Sequence, residues 1–293
     1  MNVKNRIESI RKKVDRSLDR WLPSEKIRPA ALHRAMRYSV FSGGKRLRPV
    51  LTLAAAEACG GNPEHALPPA CSVECIHTYS LIHDDLPCMD DDDLRRGRPT
   101  SHKVFGEGIA VLAGDALLTI AFEILAKTKA TTRYTLQDFF LELTSASGSL
   151  HLIGGQVADI EAENRPSTHE DLLFIHRGKT AAMISSSLRL GAMTANALPK
   201  EVRALGKFGE SLGLAFQIVD DILDVTQSTE TLGKSAGKDL AAGKITYPAI
   251  LGLEKSRKEA ARLTKTARKA LEPLGGKADF LHALADQMLE RQC

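Results

Sequence analysis

The sequence predicts an all-α fold, a single-domain bundle of about ten or more helices around a central cavity. Three observations predict it. Only 5% of the residues are aromatic while alanine and leucine are abundant, and the latter two lose little freedom in a helix. Nearly every long segment repeats its apolar residues at spacings of three and four. No βαβ alternation, short-period repeat or low-complexity tract interrupts the pattern, so one domain is expected over residues 1–293.

The elements follow in order. Ile7, Ile10, Val14, Leu18 and Trp21 mark a first amphipathic helix, and Pro23 and Pro29 bracket the loop after it. Helical periodicity then covers 30–42, 46–59, 66–86, 103–128, 136–163, 168–196, 199–228, 247–272 and 277–291. Breaks fall at Gly60-Gly61-Asn62-Pro63, Gly97-Arg98-Pro99 and Arg165-Pro166. Thr168, with Asp171 three residues on, has the form of a helix start. Helices 66–86 and 199–228 are apolar on most faces, which places them at the centre of the bundle.

Composition narrows the function. The net charge of +4 is too mild to predict a nucleic-acid partner. The five cysteines, at 59, 71, 75, 88 and 293, are odd in number and lack framework spacing, unlike a secreted disulfide protein, and Cys71 and Cys75, one helical turn apart, are expected to be buried reduced thiols rather than a metal site. Residues 1–21 are polar and carry Glu8, Asp15 and Asp19, unlike a transit peptide. No apolar run reads as long enough to cross a bilayer. The expectation is a cytoplasmic chain without stable membrane insertion.

Both central helices end in aspartates. The first cluster runs Asp84-Asp85-Leu86-Pro87-Cys88-Met89-Asp90 and on through Asp91, Asp92 and Asp93. Pro87 disfavours α geometry at Leu86, so Asp84 and Asp85 fall at a helix C-terminus, where the macrodipole is already negative. The second cluster puts Gln217, Asp220, Asp221 and Asp224 in one polar stripe on an apolar helix. Buried like charges at such spacing are tolerable only with a cation between them. Oxygen-only ligands suit Mg²⁺. An EF-hand fits poorly, because Asp91–Asp93 lack alternating spacing and a closing glutamate.

Cations stand in separate short motifs. Gly43-Gly44-Lys45-Arg46-Leu47-Arg48-Pro49 joins a glycine turn to three cations at a helix start, suited to a diphosphate. It lacks the glycine spacing and strand of a P-loop. Arg95-Arg96 follow the first acidic cluster and Lys179-Thr180 open an apolar stretch. Lys234, Lys238 and Lys244 lie in a glycine-rich stretch that reads as a lid. Carboxylates on two walls and cations at the rim call for an anionic, Mg²⁺-binding partner, which a diphosphate satisfies.

These motifs together resemble the trans-isoprenyl diphosphate synthase (polyprenyl synthase) family. The likeness runs from Gly43 to Gly243-Lys244-Ile245-Thr246-Tyr247-Pro248 and includes Gly154-Gly155-Gln156. It implies the isoprenoid synthase fold, a homodimer, and Mg²⁺, usually three ions, held by Asp84, Asp85, Asp90, Asp220 and Asp224. It implies that Arg95, Lys179, Thr180, Gln217, Lys234 and Lys244 bind an allylic diphosphate. Lys45, Arg48, His77 and Arg96 would bind isopentenyl diphosphate. His77 lies seven residues before Asp84, on the same helix face. The implied chemistry is ionisation of the allylic diphosphate, condensation and proton loss, with Asp84, Asp85, Asp90, Arg95, Lys179, Asp220 and Lys234 as the catalytic set.

Product length rests on the resemblance alone. In the family the residue five places before the first aspartate tends to floor the chain pocket. Here it is Tyr79, followed by Ser80, and a bulky Tyr79 resembles bacterial farnesyl diphosphate synthases. Farnesyl diphosphate is therefore the expected product. Geranylgeranyl diphosphate is the alternative, because Ser80-Leu81-Ile82-His83 and Pro87-Cys88-Met89 resemble plastid enzymes of that kind. An ideal helix places Tyr79 about 140° from Asp84, so geometry does not itself establish a floor. Readings of other classes are a His-Asp phosphohydrolase built on His83-Asp84, and a non-catalytic subunit of a heteromeric synthase. A terpene cyclase would lack the second acidic motif and the glycine-lysine-arginine turn.

Overall fold

The computed structural model describes residues 2–163, 165–226 and 245–289. Lys234, Lys238, Lys244 and Cys293 lie outside the described residues. The chain is all-α as expected, and two-residue strands at Leu94–Arg95 and Arg98–Pro99 add a small antiparallel turn.

Helix α1 (Val3–Trp21) buries Val14 and Leu18 completely, each worth about 1.5–3 kcal/mol relative to exposure. Helices α2 (Ala30–Val40) and α3 (Leu47–Ala58) follow. Helix α4 (Leu67–Asp84) carries proline in its first turn, where the missing N–H costs nothing. It packs against α3, α6 (Glu107–Leu125) and α10 (Ala182–Thr194). Helix α11 (Pro199–Thr226) packs against α10 and α13 (Leu253–Ala270). Helices α4 and α11 are thus the central helices expected from the all-round apolarity of these segments, and the predicted end of the second, at 227–228, lies outside the described residues.

Several expected helices are interrupted, each for a local reason. Gly106, at φ +82°, separates α5 (Ser101–Phe105) from α6. Extended Gly148 and irregular His151 divide 136–163 into α7 (Leu136–Ser147) and α8 (Leu152–Ala162). Gly252, at φ +77°, divides α12 (Tyr247–Leu251) from α13. Side-chain-bearing residues rarely adopt that left-handed backbone. The stretch 168–196 stays continuous, but α9 (His169–His176) joins α10 through a π-helical turn at Arg177–Ala181. Thr168 caps α9 in a full capping box with Asp171, as its sequence predicts. Helix α14 (Asp279–Leu289) ends the described chain.

One expectation is corrected. Among the described residues, α6 is long and apolar enough to cross a membrane by length and composition. Its apolarity has two local uses: Ala113, Leu117 and Ala121 are buried in the bundle, while Val111 and Leu112 are exposed. Cys71 and Cys75 are buried free thiols, and burial holds both well above the ordinary thiol range.

Candidate active site

The first acidic wall is built by a loop that folds back on its helix. The Asp90 amide donates to the Asp84 carbonyl at 2.8 Å and the Asp92 amide to the Asp85 carbonyl at 3.2 Å. Open carbonyls at the end of α4 are thereby satisfied, and the acidic side chains are held beside it. Burial pushes the Asp84 carboxyl up to about 6; Lys179 opposes the shift and Asp90 adds to it. Asp85 is taken by the protein's own cation: Arg95 Nε donates to its Oδ1 at 2.9 Å, and Arg95 also reaches Asp92 at 3.0 Å.

The second wall comes from α11. Asp220 faces the central cavity, and Gln217 Oε1 accepts from the Thr180 hydroxyl at 3.0 Å. Asp221 turns away, its carboxylate accepting from the Tyr247 amide at 2.9 Å and tying α11 to α12. The expected single stripe therefore divides. Asp224 is buried, 3% exposed, in the last turns of α11.

Lys179 lies in the π turn, a distortion that often marks functional positions because it re-aims side chains. Gly155 of α8 lies against this turn, where an added Cβ would sit 2.5 Å from the Lys179 backbone nitrogen. That close approach brings Asp159, one helical turn beyond Gly155, to 2.9 Å from Lys179 Nζ.

The basic wall lies opposite. Gly43 and Gly44 have φ of +94° and +120°, and a Cβ on Gly44 would overlap the Arg96 guanidinium. Arg96 donates to the Gly43 carbonyl. Lys45 is exposed at the mouth, while Arg48 and His77 line the interior. Burial, then Arg48 and Arg96, hold His77 well below the ordinary imidazole range, so it is neutral at pH 7. Arg46 is held in the same wall by a buried ion pair with Glu74 at 2.8 Å.

One cavity of about 840 Å³ joins these walls. It brings together Lys45, Arg48, His77, Ser80, Asp84, Arg95, Arg96, Lys179, Thr180, Gln217 and Asp220. Leu152, Met183, Ile184 and Phe216 add apolar lining. It is not lined by Asp85, Asp90, Asp224 or Tyr79. Asp85 instead faces a smaller recess beside Tyr38 and Thr78.

Residues 29–283 match the polyprenyl synthetase family model. The chain belongs to the polyprenyl synthetase family. It is 53% identical to the chloroplastic geranylgeranyl pyrophosphate synthase of Capsicum annuum, over 90% of this chain and 72% of that protein. It is 51% identical to the large subunit 1 of a heterodimeric geranylgeranyl pyrophosphate synthase from Arabidopsis thaliana, over 95% and 76% respectively. Among solved structures, an FPP/GFPP synthase from Zymomonas mobilis superposes with a TM-score of 0.87 at 37% identity, covering 98% of this chain and 99% of that one. A geranyltransferase from Helicobacter pylori, complexed with magnesium and isoprenyl diphosphate, gives 0.81 at 36% identity, covering 97% and 96%. As a polyprenyl synthetase, the chain is an enzyme that transfers prenyl groups.

The family's fold leaves the phosphohydrolase reading without its histidine. His83 Nε2 meets the Val111 carbonyl of α6 at 3.0 Å, and Gly114 is the glycine that makes room for its ring. Tyr79 is buried at 6% exposure, its ring edge-on to His83 at 5.8 Å, outside the cavity lining. Two carboxylates that hold cations beside the cavity escaped the sequence reading: Asp159, paired with Lys179, and Glu74, paired with Arg46. Asp159 follows Gly155 by one turn, and Glu74 shares the 74, 77, 81, 84 face of α4. Helix-face arithmetic from Lys179's neighbour and from His77 finds both.

The donor chemistry fits divalent metal. Among the described residues, no three His, Cys, Asp or Glu side chains converge enough to enclose an ion unaided. Mg²⁺ does not require such a cage, since it takes one or two carboxylates and completes its shell with water and substrate phosphates. Asp84, buried and raised to about 6 beside Asp90, is a carboxylate that gains from a cation.

Proposed function

We propose that this chain condenses isopentenyl diphosphate with allylic diphosphates to give geranylgeranyl diphosphate, with Mg²⁺ held by the two acidic walls. The observation that carries the product is the likeness to named relatives: the chain is 53% and 51% identical to a chloroplastic geranylgeranyl pyrophosphate synthase and to the large subunit of a heterodimeric one, whereas the Zymomonas mobilis structure at 37% is an FPP/GFPP synthase. The position of Tyr79 off the lining of the central cavity supports it, because the farnesyl expectation rests on Tyr79 closing the chain pocket. This reverses the farnesyl expectation drawn from the bulk of Tyr79. That bulk, with the farnesyl-class structural neighbours, keeps farnesyl diphosphate as the second reading.

Asp84, Asp85 and Asp90 on one wall, with Asp220 and Asp224 on the other, would hold three Mg²⁺ ions. When bound, these would neutralise the departing diphosphate and ease cleavage of the allylic C–O bond. Arg95, Lys179, Thr180 and Gln217 would orient the allylic diphosphate and receive its developing charge. Arg95 is loosened from Asp85 to do so, and Lys179 from Asp159. Lys45, Arg48 and Arg96 would bind the second diphosphate, with neutral His77 donating a hydrogen bond. The double bond of isopentenyl diphosphate then attacks the allylic cation, and the released diphosphate takes the proton that is lost. Leu152, Met183, Ile184 and Phe216 exclude the water that would quench the cation.

A homodimer is part of the proposal. Leu112, Leu141 and Leu150, 54%, 58% and 79% exposed, lie with Ile153, Val157 and Ile160 along α6, α7, the turn after it and α8, an apolar surface of the kind that a second copy covers. The product assay uses purified protein, Mg²⁺, isopentenyl diphosphate and dimethylallyl, geranyl or farnesyl diphosphate, with chromatography of the dephosphorylated alcohols. Geranylgeraniol from all three starters is expected. Product growth ending at farnesol would restore the second reading. No condensation by the chain alone, with activity on adding a heteromeric partner, would make it a subunit.

A further inference from the structure

The wall assigned to isopentenyl diphosphate contains a carboxylate that the reaction does not use. Glu74 is 1% exposed and lines the cavity on the face of α4 that also carries His77, Leu81 and Asp84. By charge alone it weakens the hold on a polyanion. Its partner accounts for its presence. Arg46 donates from Nη1 to Glu74 Oε1 at 2.8 Å, from Nε to Asp15 Oδ1 at 2.8 Å and from Nη2 to the Val40 carbonyl at 2.5 Å. Arg46 itself sits in the left-handed region, at φ +50°, between Lys45 and the first turn of α3. A non-glycine residue stays there only where its surroundings over-determine it. The threefold grip does this by joining α1, the end of α2 and α4 at one guanidinium.

Two further cations depend on the same carboxylate. Arg48 Nε is buried with no hydrogen-bond partner. Burial lowers Arg48 and Arg96 from their ordinary values, and Glu74 opposes the shift in both. We propose that Glu74, acting through Arg46, is a positioning residue for the homoallylic diphosphate. It is an internal counter-ion that holds the Gly43–Arg48 turn and the Arg48–Arg96 pair in the geometry the substrate needs. The proposal rests on the reading of Lys45, Arg48, His77 and Arg96 as that subsite.

Charge and position predict opposite signs. Glu74→Gln keeps the shape and removes a negative charge beside the substrate. A mere adverse charge predicts a lower KM for isopentenyl diphosphate. Positioning predicts a KM for isopentenyl diphosphate raised about tenfold, with the KM for the allylic substrate unchanged. Asp15→Asn grips the same guanidinium from a side chain that is 38% exposed, so it tests the direction with less risk to folding. It should raise the same KM by a smaller factor. Lys45→Gln and Arg48→Gln are the controls. If neither raises the KM for isopentenyl diphosphate, the subsite reading fails. If they raise it while Glu74→Gln and Asp15→Asn leave it unchanged or lower, the positioning role alone is overturned. Equal rises in both substrates' KM, tracking a loss of thermal stability, would also overturn it.

Discussion

Asp84 is costly to the empty protein. Its carboxyl is raised to about 6 chiefly by burial, with Asp90 adding to the shift. A folded-state value above the ordinary one means that the ionised group destabilises the fold. The penalty sets in as pH rises through the ordinary carboxylate range and is complete above about 6. Asp84→Asn should therefore leave the ligand-free midpoint at pH 7 no lower than the parent's, by calorimetry, while cutting kcat about 10²–10³-fold. Gly155 has a different burden. Gly155→Ala places a Cβ 2.5 Å from the Lys179 nitrogen and 3.0 Å from the Gly178 carbonyl carbon, both backbone atoms that cannot swing aside. A destabilisation of about 1–3 kcal/mol is expected in denaturant titration, with a higher KM for the allylic diphosphate because Lys179 is displaced. Tyr79 decides between the products. If it floors the chain path when substrate is bound, Tyr79→Ala lengthens the alcohol recovered; if the cavity bypasses it, as its lining indicates, product length stays as it is.

At the scale of elements, the π turn between α9 and α10 is the feature that places Lys179. Thr180 bonds to Gln217 from the same turn, so α11 and the turn are locked in register. Helix α9 is short, eight residues, and depends on its start. Thr168 Oγ1 accepts from the Asp171 amide at 3.2 Å, and Asp171 Oδ2 accepts from the Thr168 amide at 2.8 Å. Thr168→Ala should cost about 1 kcal/mol, read as a fall of about 2–4 °C in Tm. Activity at 25 °C should be retained, since α9 carries none of the cavity's cations.

For the whole molecule, the two acidic walls meet in one cavity because α4 and α11 both pack against α10. Chelation of divalent ions should abolish product formation while leaving the helical circular dichroism intact, and added Mg²⁺ should restore turnover. The exposed apolar surface of α6, α7 and α8 makes a separate prediction. Light scattering should give twice the chain mass, and the pair Leu112→Lys with Leu141→Lys should shift it to one. A parent protein that remains monomeric at micromolar concentration would remove the homodimer from the proposal.

Much of this protein was legible in its sequence, because helical periodicity and like-charge crowding are local properties. The all-α class, the central pair of helices, the caps at Thr168 and the two aspartate clusters all follow from residues a few positions apart. Which of those residues share a cavity does not. Arg46 reads as one cation of three in a run, yet a left-handed backbone turns it into a buried pair with Glu74, 28 residues away. Asp221 looks like Asp220 until packing against α12 claims it. Asp85 and Lys179 are held by Arg95 and Asp159, and Tyr79 lies outside the lining that the family resemblance expected it to close. Side-chain direction depends on how helices cross and how closely their backbones approach, and both are settled by packing between segments distant in the chain.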